Sequence, residues 1–157
     1  MKLETPKITP DQFITEVRKL TGTPWHHAGR TAGVGVDCVG ILVLACQSLG
    51  ITVEDNVNYT TIDEYDMMET GLKQLADCYM TNENCDWTQT RPGDIVVFRG
   101  RMYRGRDVMT HVGVLTEDTT VMIHACNDPS SPYVLEEYIR AGWMRIFDSA
   151  WRYKGYI

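Results

Sequence analysis

Apolar residues recur at helical spacing through the first half of the chain and at strand spacing through the second. Thr9 and Pro10 read as a helix cap followed by proline at the first helical position, and Phe13, Ile14, Val17 and Leu20 then share one face until Gly22. From Asp37 the pattern is helical again and apolar nearly all round, ending at Gly50, which predicts a central buried helix. A third helix is predicted from Asp63 to Tyr79, with Met68, Leu72, Leu75 and Tyr79 on one face. After the turn segment TQTRPGD the period changes. Asp94 to Phe98, Thr110 to Leu115 and Thr120 to Ala125 are short, β-branched runs separated by turn formers, and a fourth strand is predicted near Tyr133 to Glu137. The stretch from Trp143 to Tyr156 fits neither period. Helices first and a strand meander second predict an α+β domain with helices packed on an antiparallel sheet.

Composition narrows the possible roles. A chain of 157 residues with 43% hydrophobic content suits one compact domain over residues 1–157, and no repeat or low-complexity linker divides it. The formal net charge of -6 leaves no basic footprint for nucleic acid or an anionic membrane. The opening MKLETPKITP has no apolar signal-peptide core, and the longest apolar run, Ile41 to Cys46, is too short to cross a bilayer. A soluble product of the cytoplasm is therefore expected. The five cysteines, Cys38, Cys46, Cys78, Cys85 and Cys126, form an odd set without a C-x-x-C, so reduced thiols are expected in place of a disulfide framework or a zinc knuckle.

The candidate chemistry centres on Cys38. With Asp37 in the cap region, Cys38 falls in the first turn of the central helix, where unpaired backbone N–H groups and the helix dipole favour a thiolate. Cys46, two turns further along the same apolar segment, reads as core. A cysteine nucleophile needs a base, and the histidines are His26, His27, His111 and His124. His111 and His124 lie on consecutive predicted strands. If the intervening TEDT loop is centred on Glu117 and Asp118, Leu115 faces Thr120 and His111 faces His124 directly, with Cβ atoms about 4.5–5.5 Å apart. One imidazole then orients the other. A slip of one residue would put them on opposite faces.

The segments GTPWHHAGRTAGVGVDCVG, RPGDIVVF, HVGV and IHA, in this order between Gly22 and Ala125, resemble the NlpC-type cell-wall cysteine peptidases. The resemblance implies a papain-like α+β fold and hydrolysis of peptidoglycan stem peptides, typically between γ-D-glutamate and diaminopimelate. It implies Cys38 as nucleophile, His111 as base and His124 as the residue that orients it, with no metal or cofactor. Trp25 stands where relatives usually carry a tyrosine that binds the oxyanion, with His26 and His27 as alternative donors. Val39 stands where serine is common, so substrate contacts there differ. Asp37 resembles a residue placed to receive the substrate's free amino group. The Trp-His-His version of the upstream segment is similar to the branch found in phage and prophage tail clusters, which implies delivery to the wall by tail partners. Alternatives are a papain-like amidase or acyltransferase, an inactive tail assembly protein, and a metal-binding protein using Cys38, His111, His124 and Cys126, whose spacings match no standard zinc site.

Overall fold

The computed structural model describes residues 4–59, 64–100 and 109–157, and of 64–67, 109 and 110 the backbone only. Helix α1, Pro10–Arg18, starts at a capping box: Gln12 N donates to Thr9 Oγ1 at 3.2 Å while Thr9 N donates to Gln12 Oε1 at 2.8 Å. Its Phe13, Ile14 and Val17 are fully buried. The segment that follows holds a two-stranded hairpin, β1 (Arg30–Thr31) and β2 (Gly35–Val36), and leads into α2, Cys38–Ser48. The Asp37 side chain caps α2 by accepting from Gly40 N at 2.8 Å. Glycine is required at position 40, because a Cβ there would lie 2.4 Å from the carbonyl oxygen of Gly29. The glycine-rich approach is thus folded back against the first turn of α2.

Helix α3, Glu64–Leu75, buries Met68 and Leu72 in the core cluster that also holds Ile41, Leu42 and Cys46 of α2; Asp63, its expected first residue, lies outside the described residues. The helix ends earlier than its periodicity predicts. Ala76–Thr81 forms strand β3, in which a bulge between Cys78 and Met80 breaks the alternation that marks a strand and lets Tyr79 mimic one more helical turn. The remaining strands are β4 (Ile95–Arg99), β5 (Met109–Leu115), β6 (Val121–Ala125), β7 (Val134–Tyr138) and β8 (Phe147–Tyr153), and a short helix α4, Ala141–Met144, precedes β8. All pairings are antiparallel, in the order β3-β8-β4-β5-β6-β7. The unassigned C-terminal stretch therefore supplies an interior strand. Ile95 and Val97 face the helices, whereas Val96 and Phe98 join Leu115, Met122 and Phe147 in a second cluster on the other face.

The β5–β6 register differs from the expected one. Leu115 pairs with Met122 and Val114 with Ile123, a shift of two residues that makes His111 and His124 diagonal, not direct, neighbours. The cause is the turn. Asp118 Oδ1 accepts from Thr120 N at 2.9 Å, and Val121 N donates to Asp118 O at 2.9 Å, so the loop is centred on Asp118 and Thr119. A two-residue shift keeps both imidazoles on one face, and diagonal neighbours remain within reach of rings.

Candidate active site

Cys38 is placed by its helix. It occupies the first position of α2, 3% exposed, where the open N–H groups of the helix end point outward. Asp37 beside it brings a negative charge that would oppose a thiolate, but that charge is neutralised locally. Arg30 Nη1 donates to Asp37 Oδ1 at 2.9 Å, while Ala28 N at 2.9 Å and the Tyr59 hydroxyl donate to Oδ2. Arg30 also donates to Asp55. Burial opposes the Arg30 charge, yet the hydrogen bonds to Asp55 and Tyr59 and the nearby Asp37 hold its pKa above the ordinary value. With both oxygens occupied and 1% exposure, Asp37 serves as the helix cap and as the counter-ion of Arg30.

The histidines are placed by the sheet. His111 Nε2 lies 2.8 Å from His124 Nδ1, and His124 Nε2 lies 2.7 Å from Glu137 Oε2. The Trp143 ring of α4 stacks on His111 at 5.1 Å between centroids and meets His124 edge-on at 5.4 Å. Phe98 approaches His111 from β4 at 6.3 Å. Burial in this aromatic setting, and then the neighbouring His124, push the His111 pKa well below the usual imidazole range. Burial also lowers that of His124, against the pull of Glu137. Both rings are therefore neutral near pH 7.

Neutrality fixes the order of protons. A carboxylate only accepts, so His124 carries its proton on Nε2 and offers the Nδ1 lone pair to His111. His111 then carries its proton on Nε2, which leaves Nδ1 as a lone pair. The chain runs His111 to His124 to Glu137, and its basic end is His111 Nδ1.

Cys38, His111, His124, Trp25, His27, Trp143 and Glu137 all line one cleft of about 580 Å³, completed by Arg99, Cys126, Asn127 and Asp128 among others. Of the three expected oxyanion donors, His27 is tied through Nε2 to the Tyr59 carbonyl at 3.0 Å, and the exposed His26 points Nδ1 at the His27 carbonyl at 2.9 Å. Trp25 lines the same cleft as Cys38. None of the five cysteines is in a disulfide. Among the described residues, the cluster with metal-ligand geometry is His124, Cys126 and Glu137, not the set containing Cys38 and His111.

Sequence reasoning missed Glu137 and Trp143. Glu136 and Glu137 point to opposite faces of β7, the first to Arg18 at 2.8 Å and the second to His124. Two adjacent glutamates in a strand next to a histidine strand were a usable signal. Nothing local marked Trp143.

Fold and cleft together define an α+β protein in which a cysteine at a helix start shares a cleft with a histidine pair borne on two strands. The chain belongs to the NlpC/P60 family, whose sequence profile matches residues 22–151. Among solved structures it is similar to an NlpC/P60 family protein from Bacillus cereus, with 22% identity and a TM-score of 0.65 over 96% of this chain and 42% of that one. It is likewise similar to NlpC1 from Trichomonas vaginalis, with 18% identity and a TM-score of 0.66 over 92% of this chain and 44% of the other. The NlpC/P60 domain of the peptidoglycan hydrolase SagA matches with 19% identity and a TM-score of 0.57, over 92% of this chain and 99% of that domain. The chain spans less than half the length of the Bacillus cereus protein and of a lipoprotein-like NLP/P60 protein from Staphylococcus aureus, 42% and 45% respectively. No curated protein matches it. No helix among the described residues is long and apolar enough to cross a membrane.

Proposed function

We propose that this protein is a cysteine peptidase that hydrolyses peptidoglycan stem peptides, with Cys38 as nucleophile, His111 as base and His124 as its positioning partner. The observation that carries the reading is the ordered His111–His124–Glu137 chain, which leaves a basic nitrogen in the cleft that holds Cys38. The thiol proton passes to His111 Nδ1, and the sulfur, favoured as thiolate at the helix end, adds to the scissile carbonyl carbon. The Cys38 backbone N–H and the Trp25 indole N–H are the donors available to the oxyanion. Collapse of the adduct breaks the C–N bond, and the amine leaves with the proton from His111 Nδ1. Water then gives a proton to the same nitrogen and its hydroxide adds to the thioester. Cys38 departs as thiolate and regains its proton. Through both steps His124 and Glu137 keep the imidazole in one orientation and one tautomer.

The finer reading rests on the resemblance of the sequence motifs: cleavage between γ-D-glutamate and diaminopimelate, synthesis in the bacterial cytoplasm, and delivery to the wall as a phage or prophage tail component with partner tail proteins. Digestion of purified peptidoglycan with mass spectrometry of the released muropeptides tests both levels. New free γ-D-glutamyl and diaminopimelyl ends that vanish with Cys38→Ala are expected. Equal release by a folded Cys38→Ala variant would refute the nucleophile, and ends at another bond would refute the finer specificity.

A further inference from the structure

Behind His111, two members of the imidazole chain meet Cys126, a thiol that the peptidase reading does not use. His124 and Cys126 are two residues apart and project to one side, and Glu137 reaches the same spot from β7. His124 Nε2, Cys126 Sγ and a Glu137 carboxylate oxygen all lie within 4.8 Å of one another. An ion bound by nitrogen, sulfur and oxygen at about 2.0–2.3 Å needs ligand atoms roughly 3.3–3.7 Å apart, so the cluster needs sub-ångström to about 1 Å adjustments. Glu137 is 40% exposed and free to make them, while His124 is fixed and buried. All three residues line the cleft, which leaves an open side for a water ligand. Imidazole with thiolate suits the softer divalent ions, and the carboxylates of Glu137 and the neighbouring Asp128 supply negative charge.

We propose that His124, Cys126 and Glu137 form a binding site for a zinc-class divalent ion, and that the bound ion switches off the His111 base by reversing the order of protons along the imidazole pair. The ion takes the Nε2 lone pair of His124, so the proton that joined Nε2 to Glu137 leaves to solvent. His124 then holds its proton on Nδ1, received from His111 Nε2, and His111 is reprotonated from solvent on Nδ1. The nitrogen that accepted the thiol proton now carries one. Both rings stay neutral, and the net release on binding is the Cys126 thiol proton. Ion binding stands apart from the peptidase reading; the inhibition rests on it.

The test uses Zn2+ and Co2+ with a Cys38→Ser variant, in which the nucleophile cannot ligate. Equilibrium dialysis is expected to give one Zn2+ per chain, and Co2+ a thiolate-to-metal absorption band that Zn2+ abolishes. In Cys38→Ser/Cys126→Ser, with its fold checked by circular dichroism, the band is lost and Zn2+ binds at least roughly tenfold more weakly. No stoichiometric binding by the single variant, or a band that survives loss of Cys126, overturns the site. Zn2+ inhibition of peptidoglycan cleavage by the otherwise wild-type chain is then expected to need at least roughly tenfold more ion after Cys126→Ser. Equal sensitivity of the two proteins overturns the switch and assigns inhibition to Cys38. A protein that binds Zn2+ as expected but cleaves no peptidoglycan without it keeps the site and refutes the peptidase reading.

Discussion

Cys38 and Cys46 lie two turns apart on one helix, both almost fully buried, and differ in nearly everything that decides reactivity. Cys38 sits at the positive end of α2, on the wall of the cleft that also holds His111 and His124. Cys46 sits near the other end, packed with Met68, Leu72 and Leu75 beside an apolar cavity of about 60 Å³, and burial alone pushes its thiol up to about 12. Low exposure by itself therefore does not set reactivity: an apolar surround holds a thiol protonated, and a helix end can oppose it. What separates the two is the helix end and a cleft shared with a hydrogen-bonded imidazole pair that the sheet brings in from a distant part of the sequence.

The sharpest break in that comparison is deletion of each sulfur. Cys38→Ala is expected to lower kcat by about 10⁴-fold or more, because the covalent route disappears, whereas Cys46→Ala is expected to stay within a few-fold of wild type. Steady-state release of muropeptides measures both. If the two variants lose activity equally, the helix end has no special role. Next in size is chemical selectivity. Iodoacetamide at pH 6 is expected to label Cys38 about 10³-fold faster than Cys46 in the native protein, and the two equally in denaturant. Peptide mapping of a time course reads the ratio, and comparable native rates would sink the contrast.

The contrast itself was legible in the sequence, since a cap residue followed by cysteine opens an apolar helix, and Cys46 falls inside that helix. The six-strand sheet was not fully legible. Strand β8 alternates poorly because Ala150, Trp151 and Ser149 are all buried, as expected for an interior strand covered on both faces. The histidine pair was found through the wrong register. The side chain of Asp118 recentred the loop, and only the period of two in a strand preserved the shared face. Trp143 and Glu137 reach the histidines through tertiary packing, to which a local reading is blind. Asp37 was found, but its role as counter-ion was not legible, because Arg30 reaches it only through the folded-back hairpin and Tyr59 lies outside the motif.

The third prediction asks how much of the difference comes from the imidazole chain. Glu137→Gln keeps an acceptor for His124 Nε2–H but removes the charge that forbids the opposite tautomer. A fall in kcat of about tenfold with little change in KM is expected, and Glu137→Leu is expected to cost about 100-fold. The alkylation rate of Cys38 should fall with kcat in the same variants, while that of Cys46 should not move. A fall in kcat without a change in Cys38 alkylation would separate Glu137 from the base and reduce it to a structural residue.

The smallest effect belongs to Cys46. Truncation to alanine removes one sulfur from a site that already adjoins a cavity, so Cys46→Ala is expected to cost about 1 kcal/mol at pH 7 in chemical denaturation. That cost should shrink with alkali. Burial pushes the folded pKa of Cys46 up to about 12, above the ordinary thiol value of 9.0, so the stability this thiol contributes is fully present below pH 9 and is lost as pH rises toward 12. Other groups titrate over the same range, but they are common to both proteins and cancel in the difference. Wild type and Cys46→Ala should therefore converge in stability above pH 9 and then cross, the variant becoming the more stable. Parallel curves from pH 7 to 11 would mean that Cys46 meets water as readily as the unfolded chain does, and the two thiols of α2 would then differ only in their helix end.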